Sequence, residues 1–219
     1  MLAESRWAEL AEQAKPMPRK FRLEPSGKIH KPKRERRAFD NSVVHPPTPY
    51  ECWFDGACEP VNPGGTGAYA MVVRLDGRTV YEEYFVIRDW PRIMTNNVGE
   101  YYGLLAILRY LAKEKIQGRV TVFGDSAMVI KQMQGCMGIS KGIYAPLALQ
   151  AREVSLPGVE IYYRWIPREK NTECDALAER ALAVWSWNRG EPTKRAMEVL
   201  SVPREVPGGY VPTGQARAE

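Results

Sequence analysis

The sequence predicts an α/β fold on one five-stranded mixed sheet, three antiparallel strands followed by two parallel ones, flanked by helices. Three strand-like runs come first, YECWFDGA, TGAYAMVVRL and TVYEEYFVI, with the hairpin signal Asp76-Gly77 joining the last two. That is an antiparallel meander. The chain then changes to helix and strand in alternation: a helical run over 97–114, the strand RVTVFGD leading straight into the helix SAMVIKQMQ, a helix over 144–154, the strand VEIYYRWI and a helix over 171–187. Tyr101, Leu104, Leu105, Leu108 and Leu111 fall at helical spacing in the first helix, as do Leu177, Ala178, Ala181, Leu182 and Trp185 in the last. Each such helix has an apolar stripe to lay on the sheet.

The 219 residues suit one domain with extensions. Residues 50–187 form the expected compact domain, 1–49 a basic arm and 188–219 a C-terminal extension. Within the arm, Trp7, Leu10, Ala11 and Ala14 predict a short amphipathic helix over 3–15, and a proline-studded stretch follows. No run approaches the roughly 18 apolar residues of a membrane span, and the N-terminus lacks the basic start and apolar run of a signal peptide. The expectation is a cytoplasmic monomer without membrane attachment. Cys52, Cys58, Cys136 and Cys174 show neither CxxC pairing nor histidines at zinc-ligand spacing, which predicts free thiols.

The net charge of +5 is unevenly spread. Residues 19–37 hold nine basic residues against Glu24 and Glu35, a local +7, so the remainder of the chain is near −2 (5 minus 7). Such a run is a solvated arm, a non-specific hold on a phosphate backbone, or both.

Four carboxylates stand where the apolar pattern marks inward positions or strand ends. Asp55 lies inside a strand, where an acid is disfavoured, and Gly56 after it leaves room for close approach. Glu100 is in line with Leu104, Leu108 and Leu111, Asp125 ends a strand before a helix, and Asp175 extends the stripe of Ala178, Leu182 and Trp185. Taken singly, each has a structural reason: a satisfied strand-end acid for Asp55, dipole stabilisation in a first turn for Glu100 and Asp175, an N-cap for Asp125. Taken together, the parallel strand pair brings strand ends and a helix start to one edge, where clustered carboxylates repel unless cations neutralise them. Oxygen ligands without His or Cys select Mg²⁺ or Mn²⁺, and paired ions of that kind cleave phosphodiesters.

The blocks FDGACEPVNPGGTGAYA, TNNVGEYYGLLAIL, GDSAMVIKQMQG and PREKNTECDALAERAL resemble, in order and spacing, the four motifs of type 1 ribonuclease H. The resemblance implies the ribonuclease H-like fold and an endonuclease that hydrolyses the RNA strand of an RNA/DNA hybrid with two Mg²⁺ or Mn²⁺ ions, largely without sequence preference. It leaves double-stranded RNA open as a further substrate. Asp55, Glu100, Asp125 and Asp175 take the family's metal-binding and catalytic positions. Asn62, Thr95, Asn96, Asn97 and Asn171 take positions of hybrid-contacting or site-supporting polar residues, although Asn62-Pro63-Gly64-Gly65 is also simply a turn. Many members carry a histidine before the last aspartate, but the histidines here are His30 and His45, both in the arm. Arg168, seven residues before Asp175, stands where similar short members have arginine, which implies a supporting role near the scissile phosphate; its guanidinium cannot act as a general base. Residues 135–153 lack the Trp- and Lys-rich protrusion of some members. Two rivals remain, a catalytically silent module binding hybrid or double-stranded RNA, and a 3′–5′ exonuclease of the same fold. The exonuclease motif wants Asp-x-Glu where this chain has Asp55-Gly56-Ala57.

Overall fold

In the computed structural model, which describes residues 47–202, the meander is β1 (Tyr50–Glu59), β2 (Thr66–Leu75) and β3 (Arg78–Ile87). Asp76 and Gly77 between β2 and β3 both have positive φ, 49° and 77°, the backbone that a two-residue hairpin turn needs and Asp-Gly supplies. After them come α1 (Asn96–Lys113), β4 (Gly118–Gly124), α2 (Ala127–Met133), α3 (Ala145–Glu153), β5 (Val159–Trp165), α4 (Thr172–Asn188) and α5 (Lys194–Ser201). A 3-10 turn, Arg168–Lys170, leads into α4.

The strand order is β3-β2-β1-β4-β5, antiparallel on the β3 side of β1 and parallel on the other, as the sequence predicts. β2 is buried on both faces over 67–73, consistent with its run of small and β-branched residues. On one face Phe54, Met71, Leu104, Ile107, Leu108, Val122 and Ile130 belong to a single core that α1 closes. On the other, α4 lays Leu177 and Ala178 on Ala70 and Val72, and Ala181 and Leu182 on Ala68. Full burial of a large side chain such as Leu108 contributes about 1.5–3 kcal/mol, so both helices are bound to the sheet by their stripes.

Two boundaries differ from expectation. Thr48, assigned to the arm, is buried, its hydroxyl 2.8 Å from that of Thr121 on β4, while Pro49 O accepts the Asp76 N–H at 2.9 Å. The domain's packing therefore starts before Tyr50. The stretch after Asn188, expected only as a C-terminal extension, carries the helix α5. Thr193 caps it by accepting the Ala196 N–H at 3.0 Å, Ala196 is buried, and Arg195 pairs with Glu179 of α4 at 2.8 Å.

All four cysteines are free thiols. Among the described residues no helix is long and apolar enough to cross a membrane. The basic run 19–37, the helix expected over 3–15, His30, His45 and the chain beyond Val202 lie outside the described residues.

Candidate active site

The parallel pairing of β1 with β4 sets the site. Trp53 pairs with Phe123, so Asp55 on β1 and Asp125, just past β4, stand level at the carboxyl ends of adjacent strands. Open α/β sheets take their ligands at those ends. The third acid comes from α1, admitted by two glycines. A Cβ on Gly56 would stand 2.1 Å from Glu100 N and 2.3 Å from the Gly99 carbonyl carbon, so β1 and α1 pass backbone against backbone. Asp55, Glu100 and Asp125 each offer a carboxylate oxygen, all within 4.8 Å of one another.

Asp55 is 5% exposed and Glu100 4%, while Asp125 is half-buried. Burial raises the Asp55 carboxyl to about 8, with the Asp125 charge adding to the shift and the Gly56 N–H, which donates to Oδ1 at 2.8 Å, opposing it. Glu100 is pushed well above the ordinary carboxylate range by burial and then by Asp55. Burial raises Asp125 as well, against the hydrogen bonds and the Arg168 charge that lower it. Glu100 Oε2 is buried without a hydrogen-bond partner. Three close acids, two of them buried, call for a cation or for protons.

Asp175 stands outside this group of three. It lies in the first turn of α4 and forms an ion pair with Arg168, whose own side chain is largely exposed. Asp175 raises the Arg168 guanidinium above its usual value, so that group remains a fixed positive charge at the site's edge.

Asn171, the N-cap of α4, is 1% exposed. Its Nδ2 donates to Phe54 O on β1 at 2.9 Å and to Asp125 Oδ1 at 3.4 Å. The side chain is turned inward, away from solvent. It ties β1, the end of β4 and the start of α4 together. Asn62, Thr95, Asn96 and Asn97 line the rim at the start of α1. Thr95 caps that helix, its hydroxyl accepting the Val98 N–H at 3.3 Å. Asn62 Oδ1 accepts the Asn96 N–H at 3.2 Å, and Asn96 Nδ2 reaches Glu100 Oε1 at 3.5 Å. Asn97 is half-buried in the first turn.

Two structural explanations for the acids do not survive the geometry. Glu100 lies in the second turn of α1, beyond the positions where the helix dipole acts most strongly. Asp125 is not the cap of α2; Ser126 is. Sequence reading also missed Trp165 at the end of β5, whose indole N–H donates to Asp125 O at 2.9 Å and fixes the backbone of that acid. A tryptophan in a half-buried strand needs a partner for its N–H, and that requirement is the signal available in sequence.

A family model described as reverse transcriptase-like matches residues 54–181. A bifunctional protein of Mycobacterium tuberculosis is 35% identical over 121 residues, which covers 55% of this chain and 32% of that protein. The chain thus spans about a third of that relative's length. The crystal structure of RNase H1 from the halophilic archaeon Halobacterium salinarum is similar at 32% identity and a TM-score of 0.52, covering 61% of this chain and 96% of that one. LC11-RNase H1 in complex with an RNA/DNA hybrid is similar at 26% identity and a TM-score of 0.51, covering 62% and 98%. Since the family match extends over more than half of the chain and the sheet order agrees with these neighbours, the protein belongs to the reverse transcriptase-like family as a ribonuclease H-like member.

Proposed function

We propose that the protein is an endonuclease that hydrolyses the RNA strand of RNA/DNA hybrids with the help of two divalent cations. The single observation that supports it best is the packing of Asp55, Glu100 and Asp125 within 4.8 Å at the carboxyl ends of β1 and β4. The donor set fits a hard cation: it is all carboxylate oxygen, and the buried Glu100 Oε2 has no hydrogen-bond partner. Bound there, Mg²⁺ or Mn²⁺ would activate a water for attack on phosphorus and offset the charge gathering on the departing oxygen.

The chain's own residues do the rest. Asp55, Glu100 and Asp125, with their carboxylate oxygens close together, would hold the cations, and Asp175 in the first turn of α4 would complete the set. Asp175 would have to part from Arg168 to take that role, which frees the guanidinium for the scissile phosphate. Asn171 keeps the Asp125 carboxylate oriented, and Asn62 with Asn96 does the same for Glu100. The neighbour crystallised with an RNA/DNA hybrid supports that substrate for this chain, 26% identical to it. Cleavage of a labelled hybrid in Mg²⁺, absent in EDTA and absent on double-stranded DNA, is the expected result; no cleavage of hybrid in either Mg²⁺ or Mn²⁺ overturns the reading.

Arg168→Ala is expected to lower kcat roughly tenfold or more while KM changes little, because the guanidinium acts on charge that builds during reaction. Steady-state kinetics on a hybrid oligonucleotide separate the two constants. A loss confined to KM would instead make Arg168 a binding residue.

A further inference from the structure

A second cluster shares the rim of this site and is not used by the reading above. Arg88 follows the end of β3, and the register Cys58↔Gly67, Gly67↔Ile87 places it at the same end of the sheet as Asp55, two strands away. Trp185 lies on α4 ten residues after Asp175, about 15 Å along the helix at 1.5 Å per residue. The Arg88 guanidinium carbon is 4.5 Å from the centre of the Trp185 ring, and that of Arg189 is 5.2 Å from the same centre. Both arginines are exposed. Among the described residues neither forms a salt bridge, not even with its sequence neighbour Asp89 or Glu191.

Two like charges at one indole repel, and among the described residues no carboxylate forms an ion pair with either. The ring's negative face holds each in place, which leaves their N–H groups directed to solvent and free to grip an anion. A planar guanidinium suits a phosphate in particular. The connection from Arg88 leads to Thr95, the cap of α1, and to Asn96 beside Glu100, so the arginines and the acids stand on one continuous edge. The rise of about 15 Å from Asp175 to Trp185 is a span over which a bound duplex presents further backbone phosphates.

We propose that Arg88 and Arg189, held over Trp185, form a second contact for the phosphate backbone of the duplex substrate, about 15 Å along α4 from Asp175. This rests on the nucleic-acid reading of the site, and its test does not depend on cleavage. The full chain and its Arg88→Ala/Arg189→Ala variant are titrated against a labelled RNA/DNA hybrid of ~20 base pairs in EDTA, at several salt concentrations. A matched variant, Arg78→Ala/Arg119→Ala, removes the same charge from exposed arginines at the opposite end of the sheet. The rim variant is expected to bind about tenfold more weakly and to lose roughly one to two units of slope in log Kd against log salt. The matched variant should keep the wild-type slope. Arg88→Lys/Arg189→Lys, which retains the charge without the stacked plane, should recover most of the slope but not all of the affinity. With unchanged circular dichroism, an unchanged slope in the rim variant, or an equal loss in the matched one, overturns the proposal, as does a wild-type chain that binds no hybrid. A hybrid bound with the expected slopes but left uncut in Mg²⁺ upholds the contact and overturns the hydrolytic reading instead.

Discussion

Asp55→Asn is expected to reduce cleavage of hybrid at least a thousandfold, about 4 kcal/mol of barrier, while binding in EDTA stays within a few-fold of wild type. The substitution preserves shape and can preserve the hydrogen bond from the Gly56 N–H, yet it removes one carboxylate from the three-acid group. Single-turnover cleavage in Mg²⁺ alongside anisotropy titration in EDTA measures the two effects separately. Turnover near the wild-type rate would take Asp55 out of the reaction.

The same substitution should stabilise the metal-free protein, with a sign set by the raised carboxyl. Asp55 sits at about 8 in the folded chain against roughly 4 in an unfolded one, so the folded state holds the extra proton throughout that window. Its contribution to stability is therefore complete below about pH 4 and is lost as pH rises towards 8. Asparagine has no proton to lose. In EDTA, Asp55→Asn should melt above wild type at pH 8, with the two curves converging as pH falls towards 4. Added Mg²⁺ should raise the wild-type Tm more at pH 8 than at pH 5, since protons and cation compete for the same oxygens.

The elements were legible because their patterns were strong. Asp76-Gly77 announced the hairpin, and the stripes of α1 and α4 announced which helices cover the sheet. The acids were legible for the opposite reason, that they violate those patterns: an aspartate inside β1 and a glutamate on the core face of α1 are both buried. What remained hidden depends on contacts between distant segments. Nothing local marks Thr48 as packed on Thr121, seventy-three residues away. The pairing of Asp175 with Arg168, in preference to the other three acids, depends on how the 3-10 turn Arg168–Lys170 brings the guanidinium back over α4. The resemblance left Asn171 open between hybrid contact and support of the site; only the approach of Phe54 O on β1 shows its side chain turned inward.

Gly56→Ala is expected to cost at least about 3 kcal/mol of stability, with a fall in Tm of roughly 6–12 °C, and to abolish metal-dependent cleavage in whatever fraction stays folded. The reason is a single methyl group. Placed on Gly56 it would meet Glu100 N at 2.1 Å and the Gly99 carbonyl carbon at 2.3 Å, and both are backbone atoms of α1 with no rotamer to change. Relief requires α1 to move away from β1, and that displacement separates Glu100 from Asp55. Gly138 provides the comparison: a Cβ there meets nothing within 4 Å and its φ is not positive, so Gly138→Ala should change stability by no more than about 0.5 kcal/mol and leave cleavage intact. Thermal unfolding of the three proteins, with Mg²⁺ binding by calorimetry well below the lowered Tm, distinguishes a stability defect from a displaced ligand. Loss of Mg²⁺ binding in a folded Gly56→Ala protein is the expected outcome. If that variant melts with the wild type and cleaves hybrid normally, β1 and α1 do not touch there, and the position of Glu100 must have another cause.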